Sequence, residues 1–370
     1  MASDKYVASI MDSRSPALFR RFPAAESTIP WLSLGHRPTP VETVRVSADG
    51  GTRTILVKRE DRSGAIYGGN KIRKLEFLLA EAVRVGARRL ITAGAAGSHH
   101  ALATTIYGRK SGFDVSLVLF PQRVTEHVRD VLLMDAGFGA ELRWVSRIGL
   151  VPAGVLRARW QHRAAHPFVI APGGSDAIGT LGYVSTGLEI AEQIEAGEMP
   201  RPSRIHVAAG TLGTAVGLAL GLHLAHLDIP VAATRITSRI ITNGHSLGRL
   251  LRRTAAVLER AGVRVPDADR ALATIEIRHA HVGRGYGEPT DEGRAAARTF
   301  GTYAMRLDQT YTAKAAADLL CSPATDDAPP LFMLTLSAEE PMDRARHVRT
   351  DDLPRPFAAW LAQAGTPRPD

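Results

Sequence analysis

From about residue 73 onward, short apolar runs alternate with helical periods, and no other feature narrows the possible folds so far. Arg88-Arg89-Leu90-Ile91-Thr92-Ala93, Val115 to Phe120 and Phe168 to Ala171 read as strands. A helix capped by Ser98, a second over Val124 to Ala136 and a third over Gly179 to Glu195 separate or follow them. The pattern then resumes. Strands are expected over Ile205–Ala209, Ile229–Ile236, Leu272–Ile277 and Leu331–Leu334. Helices are expected after Thr214, over Ser246–Ala261, and near Asp291–Phe300 and Tyr311–Leu320. Such alternation predicts parallel, doubly wound sheets, and the two blocks predict two α/β domains. The tail after Glu340, rich in Pro, Arg and Asp, reads as peripheral.

Composition narrows the class. With 370 residues and 45% hydrophobic content the chain can bury a large core. Its 46 basic against 37 acidic residues give a net charge of +9, but no dense basic run is interleaved with aromatics. That argues against nucleic acid and for anionic small molecules. One cysteine, Cys321, precludes an intrachain disulfide and fits a cytoplasmic setting. Met1 to Ser15 lacks the apolar core of a signal peptide, and no apolar stretch of about 18 residues suggests a membrane span.

Two stretches carry chemistry. Gly68-Gly69-Asn70-Lys71 delivers a lysine to the start of a helix whose Leu75, Leu78, Leu79 and Ala82 recur at helical spacing. A lysine held in a tight turn can be desolvated and its pKa lowered, as an imine-forming amine requires. Gly210-Thr211-Leu212-Gly213-Thr214 lies between a strand and a helix, where backbone N–H groups and two hydroxyls suit a phosphate. It is neither a Walker loop nor a G-x-G-x-x-G fingerprint, and an ordinary βα turn is the competing reading. A reactive lysine plus a phosphate cradle suggests pyridoxal phosphate.

Further co-linear motifs make this specific. Lys58-Arg59-Glu60-Asp61 precedes the lysine turn, and Ile91-Thr92-Ala93-Gly94 leads to Ser98. Gly173-Gly174-Ser175, Gly182-Tyr183, Gly285-Tyr286-Gly287-Glu288-Pro289-Thr290 and Leu307-Asp308-Gln309-Thr310-Tyr311-Thr312-Ala313-Lys314 follow in order. Over roughly residues 30 to 340 the chain resembles the fold-type-II pyridoxal-phosphate enzymes, in the branch of the 1-aminocyclopropane-1-carboxylate deaminases and D-cysteine desulfhydrases.

The resemblance implies a tryptophan-synthase-β-like fold of two parallel-sheet domains with the cofactor between them. Residues 1–72 and 181–370 would form the large domain and 73–180 the small one. Lys71 would hold the cofactor as a Schiff base and carry the Cα proton, supported by Asn70. Gly210, Thr211, Leu212, Gly213 and Thr214 would bind its phosphate. Ser98, opening a helix, would grip the substrate carboxylate or act as a reactive serine, with His99 and His100 beside the substrate. Tyr286 and Tyr311 match two active-site tyrosines.

Two departures stand out. After Ser98 the family usually carries Asn, then Gln or His; here His99 and His100 follow, and His99 stands where an asparagine meets the cofactor's phenolic oxygen. Consecutive helical residues point about 100° apart, so the pair is a poor metal site, and His279 with His281 lacks a third ligand. No metal is expected. The second departure is Thr312, where the cyclopropane deaminases carry a glutamate near the ring nitrogen. Desulfhydrase-like relatives have threonine there and a second threonine facing that nitrogen, matched by Thr335 in Leu334-Thr335-Leu336-Ser337. A hydroxyl partner argues against cyclopropane opening.

The expected function is therefore a lyase or deaminase, D-cysteine desulfhydrase-like, removing the Cα proton of a small amino acid with β-elimination. The alternatives are β-replacement, racemisation or a biosynthetic step on an unusual amino acid in the same fold, or a binding protein without turnover. A homodimer is expected.

Overall fold

The computed structural model describes residues 14–48, 51–323 and 328–364. Most of the N-terminal stretch Met1 to Ser15, read above as lacking a signal, lies outside them. The elements in chain order are α1 (Ala17–Arg21), β1 (Val41–Ala48), β2 (Gly51–Lys58), α2 (Asn70–Arg84), β3 (Arg89–Ala95), α3 (His99–Lys110), β4 (Asp114–Phe120) and α4 (Glu126–Gly137). Next come β5 (Glu141–Trp144), α5 (Val151–Gln161), β6 (Phe168–Val169), α6 (Ala177–Glu195), β7 (Ile205–Ala209), α7 (Gly213–Leu224) and β8 (Val231–Arg235). The rest are α8 (Gly244–Arg260), α9 (Ala268–Ala273), β9 (Ile275–Arg278), α10 (Asp291–Gly301), α11 (Thr312–Cys321), β10 (Leu331–Met333) and α12 (Arg355–Ala364).

Two compact units result, one up to Phe77 together with Ser175–Glu339, the other Leu78–Gly174 together with the chain from Glu340. The first unit's sheet runs β1-β2-β10-β7-β8-β9. Only the β1–β2 hairpin is antiparallel; β2, β10, β7, β8 and β9 are parallel. Ile205, Val207, Val231 and Ala233 pack one face beneath α6, α7 and α8. Ile55, Val57 and Phe332 pack the other beneath α10 and α11. Helices on both faces explain why these strands read as continuous apolar runs.

Charge is also buried here. Lys58 Nζ meets Glu189 at 2.6 Å, and Arg73 meets Glu60 at 2.8 Å and Glu189 at 3.2 Å. Burial alone would push Glu189 up, but Arg73 and Lys58 outweigh it and hold the carboxylate at about 2. Arg37 pairs with Glu76. This network clamps the first turns of α2, the helix that carries Lys71, so the Lys58–Asp61 motif is read here as scaffold.

The second unit is a four-stranded parallel sheet, β5-β4-β3-β6. The hairpin β1–β2, β5 and α5 were not anticipated from sequence. The tail, expected to be peripheral and counted with the large domain, groups instead with this unit: Trp144 stacks edge-on to Phe357 at 5.1 Å and against Trp360 at 5.6 Å. Among the described residues no helix is long and apolar enough to cross a membrane.

Candidate active site

The lysine turn needs its glycines. Gly69 has φ of +89°, and a Cβ there would lie 2.5 Å from the carbonyl oxygen of Thr335. Only glycine lets the chain pass this closely over the end of β10. Lys71 follows in the first turn of α2, half-buried. Burial draws its amine down to about 8, against the opposing pull of Asp308. One turn on, Lys74 is buried, and its amine is held well below the ordinary lysine value by burial and then by the charge of Lys71.

Two hydrogen-bonded links join this turn to the 210–214 turn. Lys74 Nζ donates to Ser175 Oγ at 2.9 Å, and that hydroxyl meets Thr211 Oγ1 at 2.7 Å. Asn70 Nδ2 donates to Thr214 Oγ1 at 3.1 Å. The turn sits at the carboxyl end of β7, beside that of β10, the place where open parallel sheets bind ligands. Leu212 adopts the left-handed region at φ of +68°, a costly conformation for a branched residue, and the Gly213 N–H closes the turn onto the carbonyl of Thr211 at 3.0 Å. A Cβ at Gly213 would lie 2.7 Å from Ser175 Oγ and 2.9 Å from Lys74 Nζ, so glycine keeps this cradle open.

The tyrosine pair is brought together in the same unit. The two hydroxyls lie 2.7 Å apart, with the rings edge to face. Burial pushes Tyr286 up to about 12 and Tyr311 well above the ordinary tyrosine value, so both are protonated at neutral pH. Lys314 Nζ holds the Tyr286 loop through the carbonyls of Val282 at 2.7 Å and Gly285 at 3.1 Å. Asp308 orders the Tyr311 turn, accepting from the N–H groups of Thr310, Tyr311 and Thr312.

Thr312 does not present a hydroxyl for a cofactor. It is 1% exposed, and its Oγ1 donates to Asp308 Oδ1 at 2.7 Å while accepting from the Asp308 N–H at 2.8 Å. Thr335, at the end of β10, is half-buried.

In the second unit Ser98 caps α3, its Oγ accepting from Ala101 N at 3.3 Å. The His99 ring stacks on His127 with centroids 4.7 Å apart. His100 departs from the sequence reading as a substrate contact: it is 3% exposed, with Nε2 3.1 Å from Thr92 Oγ1. At position two of the helix the side chain turns inward toward β3, which the periodicity of adjacent histidines cannot reveal.

Lys74, Ser175 and Asp308 were given no role from sequence, although Ser175 and Asp308 stand in the motifs quoted above. Lys74 could have been given one, since it follows Lys71 by three positions on one helical face.

The profile of the family described as "Pyridoxal-phosphate dependent enzyme" matches residues 32–329. The chain belongs to this family. It is 35% identical over 301 residues to the nocardicin C-9′ epimerase of Nocardia uniformis subsp. tsuyamanensis, covering 78% of this chain and 88% of that one. It is 34% identical over 318 residues to the D-cysteine desulfhydrase of Salmonella paratyphi B, covering 83% and 93%. A solved structure of a homologue of ACC deaminase superposes with a TM-score of 0.70 at 30% identity, over 87% of this chain and 95% of that one. The fold is thus that of the fold-type-II enzymes, and pyridoxal phosphate is the cofactor. The donor set suits it: a depressed amine for a carbonyl carbon, and a helix start flanked by hydroxyls and the N–H donors of Lys74 for a phosphate. The activity is of the lyase and deaminase class found among these relatives.

Proposed function

We infer that this protein removes the Cα proton of a small amino acid and expels a β-substituent, as in D-cysteine desulfhydration. The carrying observation is the Lys71 amine, drawn down to about 8 by burial and tied through Asn70 to the 210–214 turn. An amine with that pKa is about one tenth neutral at pH 7, roughly two hundred times the neutral fraction of an ordinary lysine, and the neutral form is the one that attachment to a carbonyl and proton abstraction require. When bound, pyridoxal phosphate supplies an electron sink that acidifies the Cα–H of the attached amino acid.

The chain's own residues divide the work. The turn Gly210–Thr214 and the start of α7 bind the phosphate, with Lys74 and Ser175 at its edge. Thr335 offers a neutral partner to the ring nitrogen; Thr312 is occupied with Asp308. Ser98 and the start of α3 receive the substrate carboxylate, with His99 next to it. Lys71 takes the proton from Cα. Of Tyr286 and Tyr311, both held protonated, one donates to the departing group and the other holds the donor's hydroxyl in place. The protein is read as a cytoplasmic homodimer.

Epimerisation is the second reading, supported by the epimerase relative and by a tyrosine pair able to return a proton to Cα. Incubation with each enantiomer of cysteine in D2O separates the two. Elimination releases sulfide, ammonia and pyruvate; epimerisation returns cysteine deuterated at Cα. Neither product from any amino acid tested would defeat both readings.

A further inference from the structure

Arg235, the last residue of β8, is only 9% exposed and has no carboxylate partner among the described residues. Its Nε donates to His279 Nδ1 at 2.8 Å and its Nη1 to the carbonyl of Thr237, while Nη2 makes no hydrogen bond to them. The β8–β9 register, Val231 to Ile275 and Ala233 to Ile277, extends to place Arg235 opposite His279. Arg239 adds a second guanidinium: burial first, then Arg239, lowers Arg235, and His279, whose Nδ1 accepts from Arg235 and whose ring is therefore neutral, is lowered by burial and by both arginines. From Ile229 to Leu258 the sequence holds no Asp or Glu. Buried guanidinium groups are ordinarily paired, because taking a cation out of water unpaired is costly.

The setting is that of an anion site. The loop from Ile236 to Asn243 joins a strand's carboxyl end to a 17-residue helix with no acid in its first turn. Asn243 closes the loop, accepting from Ser246 N and donating to the carbonyls of Arg239 and Ile240. Thr237 and Thr242 in turn donate to the carbonyl of Gly210 at 3.4 and 2.6 Å, so the loop is fastened to the turn assigned to the cofactor phosphate. β8 is the next strand after β7, about 5 Å along the sheet.

We propose that Arg235, with Arg239 and His279, forms a second anion subsite that takes the far carboxylate of an amino-acid substrate bearing two acid groups. The planar guanidinium edge matches a carboxylate in two-point contact. The inference rests on the amino-acid reading of the site given above.

The test compares S-carboxymethylcysteine with S-methylcysteine, both enantiomers, by titrating the visible spectrum of the holoenzyme. The proposal expects the acid to bind at least about tenfold tighter, the usual worth of a hydrogen bond to a charged group. Arg235→Gln should bring that preference to about one, and Arg235→Lys should restore part of it. Equal affinities in the unaltered protein, or an unchanged preference in Arg235→Gln, would overturn it. If neither compound perturbs the spectrum, the amino-acid reading fails. The cluster is then read by the proton resonance of His279 with sodium sulfate at constant ionic strength. A sulfate-induced rise of the His279 pKa that Arg235→Gln abolishes, without any preference for the carboxymethyl compound, shows an anion site that is no substrate subsite and also overturns the proposal.

Discussion

The hydroxyls of Tyr286 and Tyr311 lie 2.7 Å apart, although 25 residues separate them in sequence. Each is brought there by a dedicated device: Lys314 holds the carbonyls of the Tyr286 loop, and Asp308 gathers the N–H groups of the Tyr311 turn. Both devices lie in one motif, Asp308 to Lys314, wound onto the start of α11.

Either Tyr286→Phe or Tyr311→Phe removes the same hydrogen bond, so each should cost about 1 kcal/mol of stability, and the double variant little more than one of them. Activity should behave differently. Loss of the proton donor should lower kcat by about a hundredfold or more, while loss of its neighbour should cost far less. Steady-state rates and denaturant unfolding of the three variants check this; equal losses of kcat in both single variants would contradict a divided role.

Gly213→Ala should empty the site. The added methyl group would crowd Ser175 Oγ and Lys74 Nζ, both side-chain ends able to shift, so the protein should fold. The shift intrudes on the phosphate cradle, and cofactor affinity should fall by at least about tenfold, given the worth of a charged hydrogen bond. Cofactor retained per chain after dialysis is the measurement, and unaltered retention would refute the cradle.

Asp135 makes stability depend on pH. Burial raises its carboxyl to about 8, against the hydrogen bond from Thr105. In the unfolded chain it ionises near the ordinary carboxylate value, so between about pH 4 and pH 8 the folded state binds the extra proton. Its contribution is fully present below that window and is lost as pH rises through it, by at most about 1.4 kcal/mol per pH unit. Asp135→Asn should therefore unfold at a higher temperature than the unaltered protein at about pH 9, with the gap closing toward about pH 4.

What the sequence disclosed follows from where its signals are local. The parallel strands β3, β4, β7, β8 and β10 are buried on both faces and read as apolar runs. The β1–β2 hairpin escaped notice because β1 alternates Val with exposed Thr and Arg, the first half of β2 carries Thr and Arg, and the buried run Ile55–Val57 is too short to read as a strand alone. Lys71 and the Gly210–Thr214 turn were legible because each needs a special backbone. Lys74 shares a helical face with Lys71, but its burial, which sets it apart from a surface lysine, does not show in the sequence. Nor could a sequence show that Thr312 spends its hydroxyl on Asp308, or that His100 turns inward to Thr92: both depend on which face of a helix start meets the core.

The most direct measurement is to reduce the cofactor-loaded protein with borohydride, digest it and locate the covalently bound pyridoxyl group by mass spectrometry, with attachment followed across pH. The account predicts a single labelled peptide carrying Lys71, none from Lys71→Ala, and attachment that accelerates as pH rises through about 8. Label on Lys74 or Lys314, or label retained by Lys71→Ala, would contradict it.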